Sequence, residues 1–166
     1  MSDFLQQLPG VIYELTIHPD GGKTFTFISD NCKEILGLSA SDIMKDGSLL
    51  DNAILQEDRE NFEQSSKENY KRQTLWSWEG RVLVHNEVRW IEARSNFEKR
   101  DNTVIRKGII LDITDRKRRE QDAEAVSKRN ETMFTQLFSP ERLSLAAATA
   151  LVAGFIALVW ILPSAT

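Results

Sequence analysis

Residues 75–113 read LWSWEGRVLVHNEVRWIEARSNFEKRDNTVIRKGIILDI, and their period decides the fold. Apolar and polar side chains alternate, as they do in strands with one buried face. From Leu75 to Val84 the alternation sets Trp76, Trp78, Val82 and Val84 on one side. Glu87 to Phe97 and Val104 to Ile113 are two further strands. His85-Asn86 makes a compact turn between the first two. Arg100-Asp101-Asn102 makes the second, because Asp and Asn tolerate the left-handed conformation. Three strands joined by such turns form an antiparallel meander.

Working outward toward the N-terminus, residues 54–73 (ILQEDRENFEQSSKENYKRQ) are helical. The apolar positions Ile54, Leu55, Phe62 and Tyr70 make a narrow stripe, suited to covering a sheet edge or face. Before them, residues 10–18 (GVIYELTIH) and Lys23 to Ile28 alternate again, and His18-Pro19-Asp20-Gly21-Gly22 turns between them as a hairpin. Ser29 or Asp30 can cap a short helix over NCKEILG, which Gly37 ends. Ser39 or Ser41 can cap a second over SDIMK. Two strands, short helices and three more strands predict an α+β domain with helices grouped on one side of an antiparallel sheet.

Beyond the meander the chain changes character. Thr114 to Phe138 is charged and helix-favouring. Ala123, Val126, Asn130, Met133 and Leu137 follow one another at spacings of three and four. That pattern reads either as a two-heptad coiled-coil seam with Asn130 setting register, or as a lone solvated helix held by charge pairs one turn apart. Leu143 to Thr166 (LSLAAATALVAGFIALVWILPSAT) carries no charge. About 20 apolar residues at a 1.5 Å rise span roughly 30 Å, the hydrocarbon core of a bilayer. The stretch is read as a transmembrane helix ended by Pro163, with Trp160 near the far interface; the alternative is a buried core helix. Arg116, Lys117, Arg118, Arg119, Lys128, Arg129 and Arg142 precede it and no basic residue follows. The positive-inside tendency then keeps the N-terminal part in the cytoplasm, on a single-pass protein of the inner or plasma membrane. The expected organisation is a folded domain over 1–114, a linker helix over 115–141, a transmembrane helix over 142–163 and a tail at 164–166. A tail-anchored protein and a receptor piece with an output domain elsewhere both fit.

Composition narrows the chemistry. A formal net charge of -4 on 166 residues argues against a nucleic-acid binder. The single cysteine, Cys32, excludes an intramolecular disulfide framework and a CxxC zinc site. MSDFLQQLPG at the N-terminus has neither the basic start nor the apolar run of a signal peptide. There is no glycine-rich phosphate loop, no Gly-x-Ser-x-Gly and no His-Glu-x-x-His, and nothing pairs a nucleophile with a base. No enzyme and no metal site is expected.

Several phrases occur together in one order. LPGVIYEL at 8–15 resembles the opening strand of the PAS sensory domains of bacterial signalling proteins. FISDNCKEILGLSASDIM at 27–44 resembles that family's strand-to-helix passage. LQEDRENF at 55–62 resembles its loop-helix start, although Leu55-Gln56 stands where His-Pro is usual. EVRWIEARSNF at 87–97 is similar to the penultimate strand, and IILDITDRKRREQ at 109–121 to the exit signature, Asp-Ile-Thr followed by a charged helix. The resemblance covers about residues 8–121. It implies a five-stranded antiparallel sheet with short helices on one face and a sensory role, in which a ligand, cofactor state or partner alters the sheet. It places signal relay on Asp112 and Thr114, though plain helix capping also suits Thr114. The pocket residues expected among the large apolar positions, where core and pocket read alike, are Tyr13, Phe27, Ile35, Trp78 and Trp90.

The resemblance also bears on cofactors. Cysteine-adduct flavin chemistry needs a cysteine after the second short helix, whereas Cys32 lies in the first and reads as a small buried hydrophobe. Haem-binding members use a histidine on the long helix, and residues 54–73 contain none; His18 and His85 fall in turns, and Met44 has no supporting pattern. Trp76-Ser77-Trp78-Glu79-Gly80 is similar to a phrase in PAS domains that bind flavin adenine dinucleotide (FAD), with Trp78 and Glu79 disturbing the spacing. A Trp indole can flank an isoalloxazine and Gly80 would leave space on the inner face, whereas the alternative is a core filled by the two tryptophans with no ligand. Three readings stay open: a sensory input and relay module, a ligand-free dimerisation scaffold at the membrane, and an FAD-binding redox sensor of the aerotaxis kind. A homodimer through the sheet flank and linker helix is expected.

Overall fold

The protein is represented by a computed structural model that describes residues 8–20, 22–72, 74–100 and 103–137. The chain falls into two units, Met1–Arg118 and Arg119–Thr166. The first holds strands β1 (Val11–Ile17) and β2 (Lys23–Ile28), and helices α1 (Cys32–Leu36), α2 (Ala40–Lys45), α3 (Ser48–Ala53) and α4 (Gln56–Arg72). Strands β3 (Trp76–Val84), β4 (Glu87–Arg100) and β5 (Thr103–Asp112) follow, and helix α5 (Thr114–Leu137) begins at their end. The strands form one antiparallel sheet in the order β2-β1-β5-β4-β3. This is the five-stranded α+β fold that the element order predicts.

The meander follows its periodicity closely. Trp76, Trp78, Gly80, Val82 and Val84 of β3 are all buried. His85 and Asn86 both have positive φ, 49° and 68°, between the paired residues Val84 and Glu87. That is the two-residue type I′ hairpin, whose twist matches the flanking strands. Residues 101 and 102 of the second expected turn lie outside the described residues.

The short helices differ in detail from expectation. Ser39 caps α2, its Oγ accepting from the Asp42 backbone N–H at 3.2 Å. Helix α1 starts at Asn31, which makes no side-chain cap. Ser29, one of the expected caps, is used elsewhere: its Oγ accepts from the Ile12 N–H at 3.0 Å, tying β1 to the end of β2. Gly37 closes α1 in the left-handed conformation, φ 71°. The sequence reading did not anticipate α3, a single short turn that starts where Asp46 Oδ1 accepts from the Ser48 N–H and hydroxyl at 3.0 and 2.6 Å.

The core lies between the sheet and α1–α4. Val11, Leu36, Ile43, Val82 and Val84 are essentially inaccessible, and burial of such side chains contributes about 1.5–3 kcal/mol each. No helix among the described residues is long and apolar enough to cross a membrane. The stretch expected to do so, 142–163, lies outside the described residues, as does the tail.

Candidate functional site

A small cavity sits in the core between the inner face of the sheet and helices α3 and α4. The space open to the centre of a water-sized molecule is about 40 Å³. Its lining is mostly apolar, with Leu15, Phe25, Leu36, Ile91 and Ile110 among the walls; of its three ionised residues, Lys23 and Asp51 are joined by a 2.9 Å ion pair and the third is Arg106.

Tryptophans dominate one wall, and α4 holds them in place. Trp76 Nε1 donates to Ser65 Oγ and Trp78 Nε1 to Asn61 Oδ1, both at 2.9 Å. Phe62, from the same helix, meets the two indoles edge-on, with centroids 5.8 and 4.9 Å away. The hydrogen bonds satisfy the indole N–H groups, so both rings stay buried at little polar cost. Gly80 does not leave open space here: a Cβ on it would collide with Trp78 Cζ2 and Cη2. The indole of Trp78 fills the place that the missing side chain vacates.

Against Trp76 stands Arg106 of β5, 4% exposed. Its guanidinium lies 4.3 Å from the Trp76 ring centroid and 4.6 Å from that of Phe97, within cation–π range of both. Nη1 donates to Ser66 Oγ at 3.3 Å, whereas Nε and Nη2 are buried without a hydrogen-bond partner. Burial lowers its pKa, opposed by the nearby Tyr13 and Asp51; an arginine stays charged nonetheless. Tyr13 lies beside it, and burial pushes its phenol up, opposed by Arg106 and Ser95. The ring of Tyr13 crosses Gly108, where a Cβ would meet its Cζ and hydroxyl at 2.7 Å. Sequence reasoning passed over Arg106, although a signal existed: in VIRKGII it takes the same parity as Val104, Gly108 and Ile110, the parity that faces the core.

The expected pocket residues are divided. Tyr13 and Trp78 line the cavity together. Ile35 packs against the core without reaching the cavity, and its neighbour Leu36 takes that place. Phe27 is on the other face of the sheet, 39% exposed among Ile12, Glu14 and Ile109. The cause is a register shift between Glu14 and Leu15: these pair with Phe27 and Phe25, so Thr26 is the extra residue in β2. A bulge of one residue turns every later side chain to the opposite face. Trp90 also belongs to the outer face, since Ile91 and Ala93 take the inward positions. There it lies under Arg81 and Lys117, at 5.8 and 5.3 Å.

The two relay candidates come together. Thr114 Oγ1 donates to Asp112 Oδ1 at 2.6 Å and accepts from the Trp90 N–H at 3.0 Å. The Thr114 N–H reaches the same Asp112 oxygen at 2.9 Å, and the Ile113 N–H donates to the Trp90 carbonyl at 2.9 Å. One turn on, Arg116 and Lys117 each pair with Glu79 of β3 at 2.7 Å. Those hydrogen bonds, Lys117's first and then Arg116's, hold the Glu79 carboxyl below the usual range. Asp112 thus caps α5, and Thr114 fastens the same end of the helix to β4.

The cavity does not fit the larger cofactors. Ligand pockets for such molecules run to about 300–1,000 Å³, whereas here the walls, Trp76, Trp78 and Arg106 among them, leave about 40 Å³. His18 bonds Thr24 at 2.9 Å away from the cavity, His85 lies in the hairpin turn and Met44 is 46% exposed. Cys32 is fully buried and outside the cavity wall. Among the described residues, no three His, Cys, Asp or Glu side chains gather as a metal would require.

A family model described as the PAS fold matches residues 25–109. This chain belongs to the PAS fold family. Solved PAS-like structures bear out the architecture. A sensory box histidine kinase/response regulator from Burkholderia thailandensis E264 is 21% identical, with a TM-score of 0.56, over 79% of this chain and 97% of that one. A histidine kinase domain from Haloarcula marismortui is 21% identical, TM-score 0.53, covering 68% and 97%. The N-terminal domain of a diguanylate cyclase with PAS/PAC sensor from Marinobacter aquaeolei is 17% identical, TM-score 0.52, covering 62% and 95%. At such identities the likeness speaks for the PAS fold alone. No curated protein sequence matches the chain.

Proposed function

We propose that this PAS domain is a sensory input and relay module rather than an enzyme, and that changes in its core pass through Asp112 and Thr114 into α5. The observation that carries this reading is the double use of Thr114. Its hydroxyl donates to Asp112, the carboxylate that accepts the first N–H of the helix, and accepts from the Trp90 backbone N–H in β4. A shift of β4 against β5 cannot leave that hydroxyl's geometry intact, so strand movement becomes helix movement. Glu79 extends the attachment from β4 to the edge strand β3.

In this reading the second unit carries the output. Val126 and Met133 of α5 are more than half exposed and seven residues apart, the spacing of a coiled-coil seam. They support pairing with a second copy of the chain, and the charge-free 143–166 supports attachment to a membrane with the PAS domain on the cytoplasmic side. The ligand-free scaffold reading shares these features and lacks the coupling.

Hydrogen exchange of the full chain separates the two. Ala93→Leu enlarges a side chain that faces the cavity. A sensor responds with changed protection in residues 114–118, and Thr114→Val abolishes that response. Equal protection of these residues in wild type and Ala93→Leu would leave only the scaffold.

A further inference from the structure

We propose that the core cavity binds a small monocarboxylate with a short apolar tail, held by the Nε–Nη2 edge of Arg106. This names a ligand class for the sensory reading given above and rests on the same cavity.

The charge balance of the core carries the argument. Arg106 is 4% exposed and makes no ion pair among the described residues, and only Nη1 is hydrogen-bonded. An isolated buried charge is costly, so buried charges are ordinarily paired. Asp51, the carboxylate that lines the same cavity, is bonded to Lys23 instead. The two unsatisfied nitrogens, Nε and Nη2, are adjacent donors on one edge of the guanidinium. That edge is a fork matched to the two oxygens of one carboxylate. Trp76 and Phe97 lie against the guanidinium without using either donor. Arg106 itself lines the cavity, together with the Tyr13 phenol, and the remaining walls are chiefly apolar.

Size and polarity then select the guest. About 40 Å³ of space for water-sized centres takes a few such groups, since one water needs roughly 10–15 Å³ on this measure. A flavin, a haem or a nucleotide is far larger. An anion with a two- or three-atom hydrocarbon tail meets both the fork and the apolar walls. Phosphate would leave its further oxygens against Leu15, Ile91 and Ile110.

The test uses the full chain at pH 7 in a neutral detergent, with propionate as probe and ionic strength held constant with sodium chloride. Propionate at ten times its Kd raises the melting temperature by about 5 °C. Propionamide, of the same shape and without charge, has no effect. In a spectrum of labelled indole N–H groups, propionate moves the signals of Trp76 and Trp78 and leaves Trp90 in place. Arg106→Met weakens binding more than ten-fold. If that variant does not fold, the wild-type comparison and the indole signals decide alone. No response to propionate, an equal response to propionamide or chloride, or unmoved Trp76 and Trp78 signals would each overturn the proposal. Propionate binding without changed protection in residues 114–118 would keep the site and remove the sensory reading. Coupling of Ala93→Leu to those residues without propionate binding would do the reverse.

Discussion

Trp78 and Gly80 share one volume: the indole of the first occupies the position where a side chain on the second would stand. The two are neighbours on the inward face of β3, so the strand supplies both the bulky group and the gap that receives it. The core is therefore filled by a residue that could also have flanked a ligand.

Gly80→Ala should force the indole out of place. Overpacking of this kind costs about 1–3 kcal/mol. In a Trp78→Leu background the added methyl meets no ring and most of that cost disappears. Urea denaturation of the four proteins measures the coupling. Equal costs in both backgrounds would show that the ring does not lie over Gly80.

Asp58 and Arg81 predict part of the acid sensitivity. Asp58 accepts from the Arg81 backbone N–H, Nε and Nη2 at 2.8, 2.9 and 2.7 Å, and the Arg81 side chain holds its carboxyl below the usual range. A depressed folded pKa gives stability that is present above the unfolded value and lost as pH falls through the folded one. The loss therefore begins below about pH 4, the ordinary range of an aspartate. Asp58→Asn should cost about 1–3 kcal/mol at pH 7 and flatten the stability–pH curve in acid. An unchanged acid slope in the variant would assign it elsewhere, to Glu79 or Glu98, whose carboxyls are also held low.

Glu79 should make the start of α5 sensitive to acid. Its contribution has the same sign as that of Asp58, present at neutral pH and lost as the carboxyl is protonated. Glu79→Gln should lower amide protection in residues 115–118 at pH 7, relative to the intrinsic exchange rate, and remove the further loss of protection that wild type shows as pH falls below the ordinary glutamate range. Identical exchange in the two proteins would mean that Thr114 fastens the helix alone.

Thr114→Val leaves the Trp90 N–H without its acceptor and removes the hydroxyl bond to Asp112. The expected loss is about 1 kcal/mol, with faster exchange at both Trp90 and the first turn of α5. Thr114→Ser keeps the hydroxyl and should behave as wild type. A serine variant as impaired as valine would show that the methyl group, not the hydroxyl, matters.

Cys32 should be chemically silent in the native protein. It is fully buried, and its thiol is pushed up by burial and by the charge of Asp30. Alkylation by iodoacetamide should run at least about a hundred-fold slower than in urea. Comparable rates would place Cys32 at the surface and reopen adduct chemistry.

The sequence made the sheet legible because its strands alternate and its hairpin residues, His85 and Asn86, are of types that accept positive φ. The exit strand and capped helix were legible from Asp112 and Thr114 for the same local reason. Phe27 was misplaced because the bulge at Thr26 comes from pairing with β1, and a strict count along KTFTFI sees no extra residue. Trp90 falls outside the pocket because its parity against Ile91 and Ala93 points outward, and a large aromatic side chain does not reveal that by its type. Arg106 was missed for the converse reason: its charge hid an inward position that the parity of β5 reveals. The last two errors come from weighing a residue's type above its place in the strand.

Strands β1 and β5 run antiparallel side by side at the centre of the sheet, with Val11 opposite Ile110. The polypeptide therefore arrives and departs through one doorway, about 5 Å wide between neighbouring strands. A domain with such closely set ports can be spliced into a loop of another protein with little loop-closure entropy. Any twist that an upstream segment imposes at Gly10 also falls on the strand that leads into α5.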